Sequence, residues 1–134
     1  VIDQRLIAMQ VQNGYDVELI AALLNSVITF LILEMRGTSR NLGALDLNAD
    51  YLKQIRLLNP DLLNSEQCAK IKCAFAPLKR CKVKTLFEEL YNENRIKFDK
   101  TIFECFGLNP IMVNDIYMLL ASIVQDRILL SKNK

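Results

Sequence analysis

A chain of 134 residues, 51% of them apolar, with a formal net charge of +2, suits one modest domain or two small lobes sharing a core. That apolar share excludes a disordered chain, and the near-neutral balance excludes a strong global field towards nucleic acid or anionic membrane. The absence of histidine removes serine–histidine and cysteine–histidine catalysis. Val1 to Gln12 reads as a short strand with Ile7, Met9 and Val11 inward, because these alternate with the more polar Leu6, Ala8, Gln10 and Gln12. Asn13-Gly14 is a turn signal. Asp16 then caps one long helix predicted to run to about Arg36, with Gly37 as its stop.

That helix is apolar nearly all round and contains the most membrane-like stretch, Val17 to Met35. A spanning helix needs about 20 predominantly apolar residues. Glu18, Asn25, Ser26, Thr29 and Glu34 interrupt the stretch, so a buried core helix is predicted instead. Thr38 to Asp50 is polar and irregular, with a short strand at Ala44 to Leu47. Tyr51 to Leu58 is apolar with Lys53 and Arg56 between, readable as helix or extended chain. Asn59-Pro60 ends it.

From Asn64 the pattern is helical. Asn64 and Gln67 form a capping box, and Cys68, Ile71, Phe75 and Leu78 make one apolar stripe. Pro77 is predicted to kink or end this helix near its last turn. Thr85 and Glu88 form a second box before Leu86, Phe87, Leu90 and Tyr91. A third helix is predicted from about Arg95 to Phe106, stopped by Gly107. Asn109 and Pro110 open a last helix with Ile116, Leu119, Leu120, Ile123 and Val124 inward.

The chemistry-bearing residues are sparse. Cys68, Cys73, Cys81 and Cys105 have spacings that do not suit a zinc ribbon, and reduced, mostly buried thiols in a cytoplasmic protein are expected. No signal peptide is visible at the first residues, and a start at Val1 without methionine reads as a fragment of a longer chain. Lys79, Arg80, Lys82 and Lys84 crowd one helix end, where they suit either the negative end of the helix dipole or DNA phosphates. Arg36, Arg40, Lys53 and Arg56 surround the irregular segment. Arginine matches guanine and asparagine matches adenine in the major groove, so Arg36, Arg40, Asn41, Lys53 and Arg56 are the candidate DNA-contacting residues. Glu88-Glu89 and Asp99 with Glu104 are the closest carboxylate groupings, and neither forms a two-carboxylate catalytic pair. The four glycines make no phosphate loop.

Two stretches resemble the N6-adenine DNA methyltransferases of bacterial restriction–modification systems. Leu23-Leu24-Asn25-Ser26, Phe30, Arg40 to Leu47 and Leu52 to Ile55 resemble the family's target-recognition region. Phe98-Asp99, Ile102-Phe103, Gly107-Leu108, Ile116-Tyr117, Val124 and Arg127 are similar to its helical tail. The family's catalytic motif, asparagine or aspartate followed by two prolines and an aromatic, flips and holds adenine. Asn59-Pro60-Asp61 and Asn109-Pro110-Ile111 do not match it, and no glycine-rich loop for S-adenosylmethionine is present.

The resemblance therefore implies a non-catalytic piece: residues 1–58 as the end of a target-recognition-like lobe and residues 59–134 as a C-terminal helical bundle. Catalytic residues and metal ligands are expected to be absent, and S-adenosylmethionine to belong to the parent enzyme. The expected partners are double-stranded DNA and the catalytic domain of the same parent chain, with no membrane. The alternative is a helical protein-interaction module that docks on that domain or on a second copy of itself. The predicted fold is mainly α, with a small strand-bearing N-terminal lobe on a bundle of about four helices.

Overall fold

The structure, a computed structural model, describes residues 8–39 and 44–132. These form seven α-helices, one pair of two-residue strands and a 3-10 turn at Pro60–Leu62. The mainly helical class is as the sequence predicts.

The single helix predicted from Asp16 to Arg36 is instead two: α1 (Val17–Leu24) and α2 (Val27–Arg36), bent by 60°. Asp16 caps α1 as expected, accepting from Glu18 and Leu19 amides. The break lies at Asn25-Ser26, where short polar side chains compete for backbone hydrogen bonds. The Asn25 amide donates to the Ala21 carbonyl at 2.8 Å. Ser26 starts α2 by accepting from the Thr29 amide, and the Thr29 hydroxyl donates back to the Leu23 carbonyl at 2.8 Å. Both hydroxyls are buried, so the corner is held inside the core. No single helix among the described residues is long and apolar enough to cross a membrane; the bent α1–α2 pair reaches that length only jointly.

The strand expected at Val1–Gln12 is not supported. Val1 to Ile7 lie outside the described residues, and 8–12 form no strand. The strand expected at Ala44–Leu47 is present as β2 (Leu45–Asp46), antiparallel to β1 (Thr38–Ser39), with Thr38 opposite Asp46. Gly37 lets the side chain of Leu45 pack close to the backbone: a Cβ there would lie 2.5 Å from Leu45 Cδ1, and the leucine would have to shift. The ambiguous segment resolves into α3 (Ala49–Gln54), capped by Asn48, followed by extended chain from Ile55.

Beyond Asn64 stand four helices, as predicted: α4 (Ser65–Arg80), α5 (Leu86–Glu89), α6 (Glu93–Cys105) and α7 (Met112–Lys132). Both capping boxes are formed. Gln67 also donates to the Cys105 carbonyl at 3.0 Å, tying the start of α4 to the end of α6. Pro77 sits inside α4, which continues to Arg80. The carbonyl that proline deprives of a donor belongs to Cys73, on the exposed face of α4. Gly107 ends α6 with φ +72°, in the left-handed region.

Two apolar clusters fill the interior, and α6 belongs to both. Leu19, Ala22 and Leu23 of α1 meet Ile71 and Phe75 of α4 and Phe98 and Ile102 of α6. Val27 of α2 meets Phe103 of α6 and Val113, Tyr117, Leu120 and Val124 of α7. Phe75 and Phe98 have ring centroids 5.4 Å apart; burying a side chain of this size stabilises by about 1.5–3 kcal/mol. Leu119, expected inward, is exposed, because Val113, Tyr117, Leu120 and Val124 mark the buried face of α7 and Leu119 points away from it. The cysteines are free but not mostly buried. Cys68 and Cys105 are half-buried, whereas Cys73 on the outer face of α4 and Cys81 in the following loop are exposed.

Candidate functional site

Three of the five predicted DNA-contacting residues are among the described residues, and these three lie at the surface. Arg36 is the exposed last residue of α2. Lys53 is exposed in the last turn of α3, 3.9 Å from Asp50, and Arg56 is exposed in the extended chain that follows. Arg40 and Asn41 lie outside the described residues. No hydrogen bond or ion pair joins Arg36, Lys53 and Arg56 to one another. They are solvated cations, which is the form in which lysine and arginine meet phosphates.

A more ordered group of charges lies in the interior. The buried stripe of α6 is Arg95, Phe98, Asp99, Ile102 and Phe103, a helical spacing of three and four with two charged residues inside it. Asp99 is fully buried. One carboxylate oxygen accepts from the Val27 amide at 2.9 Å, and so holds the first turn of α2. The other accepts from the Tyr117 hydroxyl of α7 at 2.5 Å. Arg95 is 3.9 Å from Asp99, donates to the Asn25 carbonyl at the α1–α2 corner, and lies over the rings of Phe30 and Phe98 at 5.1 and 5.6 Å. Asp99 therefore joins three helices, while Arg95 fastens the corner.

Burial pushes the Asp99 carboxyl above its usual range, against the opposing pull of Tyr117, the Val27 amide and Arg95. Burial first, and then the charge of Asp99, drive the Tyr117 hydroxyl well above the usual phenol range. With both Asp99 oxygens engaged and no solvent access, the group organises the fold and presents nothing to a substrate. A second internal pair, Arg127 to Glu34, is two-pronged at 3.0 and 2.7 Å and ties α7 to α2. Sequence reasoning assigned neither pair. The available signal was positional: Arg95 and Asp99 fall on the apolar stripe of their helix.

A concave feature adjoins Arg95. It is a cleft of about 440 Å³ lined by Phe30, Phe75, Leu78, Leu86 and Arg95, by Lys79 in the last turn of α4, and by Cys81 to Lys84 of the α4–α5 loop. Of the basic run Lys79, Arg80, Lys82 and Lys84, Lys79 is paired with Glu18, whereas Lys82 and Lys84 are exposed and form no ion pair among the described residues. Among the described residues no three histidine, cysteine, aspartate or glutamate side chains gather as a metal site. Comparison of the chain with protein-family profiles, with curated proteins and with solved structures finds no match in any of the three.

Proposed function

We propose that the chain is the non-catalytic C-terminal part of a cytoplasmic restriction–modification DNA adenine methyltransferase, serving DNA target recognition or its scaffolding. The observation that carries this reading is that the two family-like stretches meet in one core. Asn25 to Phe30 of the first stretch packs against Phe98-Asp99, Phe103, Tyr117 and Val124 of the second, through the Asp99–Val27 hydrogen bond and the shared apolar cluster. Segments that resemble adjoining parts of one family and pack as a unit support a common origin. On this reading residues 1–58 end the recognition lobe, with the short β1–β2 pair as its strand element. Residues 59–134 buttress that lobe, and Arg36, Arg40, Asn41, Lys53 and Arg56 face double-stranded DNA. The adenine-flipping motif and S-adenosylmethionine belong to the catalytic domain of the parent.

The test is a low-salt titration of the chain with duplex DNA, in parallel with a methyl-transfer assay with S-adenosylmethionine. Weak binding that falls steeply with salt, without methyl transfer, is the expected outcome. Methyl transfer by this chain alone contradicts the reading.

A second reading is favoured by α7. Ile111, just before it, and Met118 and Leu129 within it are exposed and lie on one side, opposite the buried face. Exposed apolar rows mark association surfaces, so a helical module that docks on a catalytic domain or a second copy is the alternative. Sedimentation distinguishes it: a monomer at high concentration counts against self-association.

A further inference from the structure

The cleft beside Arg95 combines features that the DNA reading does not use. Arg95 is held almost wholly out of solvent, with its side chain 8% exposed. Among the described residues its Nε–H has no hydrogen-bond acceptor, because the nearest carboxylate, that of Glu89, is 3.8 Å away. An unmatched buried donor carries a desolvation cost, and the residue that bears it lines the cleft. Lys82 and Lys84 also line the cleft, so positive charge exceeds negative there: Lys82, Lys84 and Arg95 against Glu89 and the Asp99 beside Arg95, with Lys79 already neutralised by Glu18. The rest of the lining is mainly apolar, with Phe30, Phe75, Leu78 and Leu86. Val83, between the two lysines, is 88% exposed although it lines the cleft, leaving an apolar side chain at the rim with nothing packed on it. A volume of about 440 Å³ lies in the range of small-molecule sites.

We propose that this cleft binds an amphipathic organic anion. Its phosphate or carboxylate head is held by Lys82, Lys84 and Arg95, and its apolar body lies on Phe30 and Leu86 under Val83. Charge without an apolar body, or an apolar body without charge, uses only half of the lining, so both parts are required for affinity. The proposal does not depend on the methyltransferase reading, since DNA contact there is assigned to Arg36, Lys53 and Arg56.

The experiment is a titration of the full ¹⁵N-labelled chain with octyl phosphate and octanoate below their micelle concentrations, followed by amide and arginine side-chain resonances. Octanol and inorganic phosphate serve as the half-ligands. The expected result is saturable shifts confined to Lys79–Leu86 and the Arg95 Nε–H, with affinity at least tenfold above either half-ligand. Lys82→Ala with Lys84→Ala, both at exposed positions that leave the fold intact, is expected to weaken binding at least tenfold. Arg95 is left in place because its removal disturbs the α1–α2 corner. Shifts scattered over the surface, equal binding of octanol, or unchanged affinity in the double variant would each overturn the proposal.

Discussion

Arg95 and Asp99 in α6 and the Arg36, Lys53 and Arg56 set around α3 are built from similar side chains but sit in opposite settings. The α6 pair is buried, contacts three other helices and engages backbone groups of the α1–α2 corner. The outer set is exposed, and among the described residues Lys53 alone of the three has a carboxylate within 4 Å. Charges on the apolar stripe of a helix carry the fold, as Asp99 does with both oxygens engaged, whereas exposed charges such as Lys53 on α3, a helix with no buried residue, contribute little to it. Substitutions in the two regions are therefore expected to separate stability from binding.

The largest expected effect is Asp99→Ala. It leaves the Val27 amide and the Tyr117 hydroxyl without their acceptor and takes a carboxylate from beside Arg95, and breaking a buried charged contact costs about 3–5 kcal/mol. Urea denaturation measures it, and a loss under about 1 kcal/mol would show that Asp99 does not hold the three helices together. Glu34→Ala follows, because it removes the two-pronged contact by which Arg127 ties α7 to α2; a loss of about 1.5–3 kcal/mol is expected for hydrogen bonds between charged groups. Tyr117→Phe removes one hydrogen bond while keeping the ring, for about 1–2 kcal/mol. The joint substitution of Arg36, Lys53 and Arg56 by alanine is expected to lower the urea midpoint only slightly, because exposed cations in the last turns of α2 and α3 contribute about 0.3–1 kcal/mol each.

The α6 centre also predicts a pH dependence of definite sign. The folded-state pKa of Asp99 is raised above the ordinary 3.8. Its contribution is then fully present below that value and lost as pH rises through the folded pKa, because the native state has to bury the charge. Asp99→Asn does not titrate. Its stability relative to the parent chain is therefore expected to improve as pH rises from about 4 and to level off once pH passes the folded-state pKa of Asp99. The exposed Asp16 and Glu88, whose pKa values are lowered, act in the opposite direction in both proteins and cancel in the comparison. A difference that is flat with pH would contradict the raised pKa.

Much of the helical scaffold was legible in the sequence. Asn64 with Gln67, Thr85 with Glu88, and Gly107 are local signals that act within one turn, and each is found where the spacing placed it. The α1–α2 corner was not legible. Asn25-Ser26 carries no glycine or proline, and the apolar run continues on both sides. What breaks the helix is a set of side-chain hydrogen bonds together with Arg95, which lies 70 residues away in sequence. Leu119 was misplaced because α7 is apolar on two sides, and periodicity alone does not say which side meets α2. The candidate DNA residues were chosen by type and neighbourhood. Arg36, Lys53 and Arg56 are exposed, as most lysines and arginines are, so exposure does not single them out, and α3 has no buried residue to fix their mutual geometry. The cleft beside Arg95 was hidden because it joins α2, α4, α5 and α6 and depends on a donor orphaned only by tertiary packing.

The most direct test of the central claim is fluorescence anisotropy of a labelled duplex, titrated at low and at moderate salt with the parent chain and with the Arg36, Lys53 and Arg56 triple alanine variant. The account predicts weak binding that falls steeply with salt, a clear loss of affinity in the triple variant and a shallower salt slope, with the fold unchanged. No binding at low salt, or binding equal in the two proteins, would contradict it.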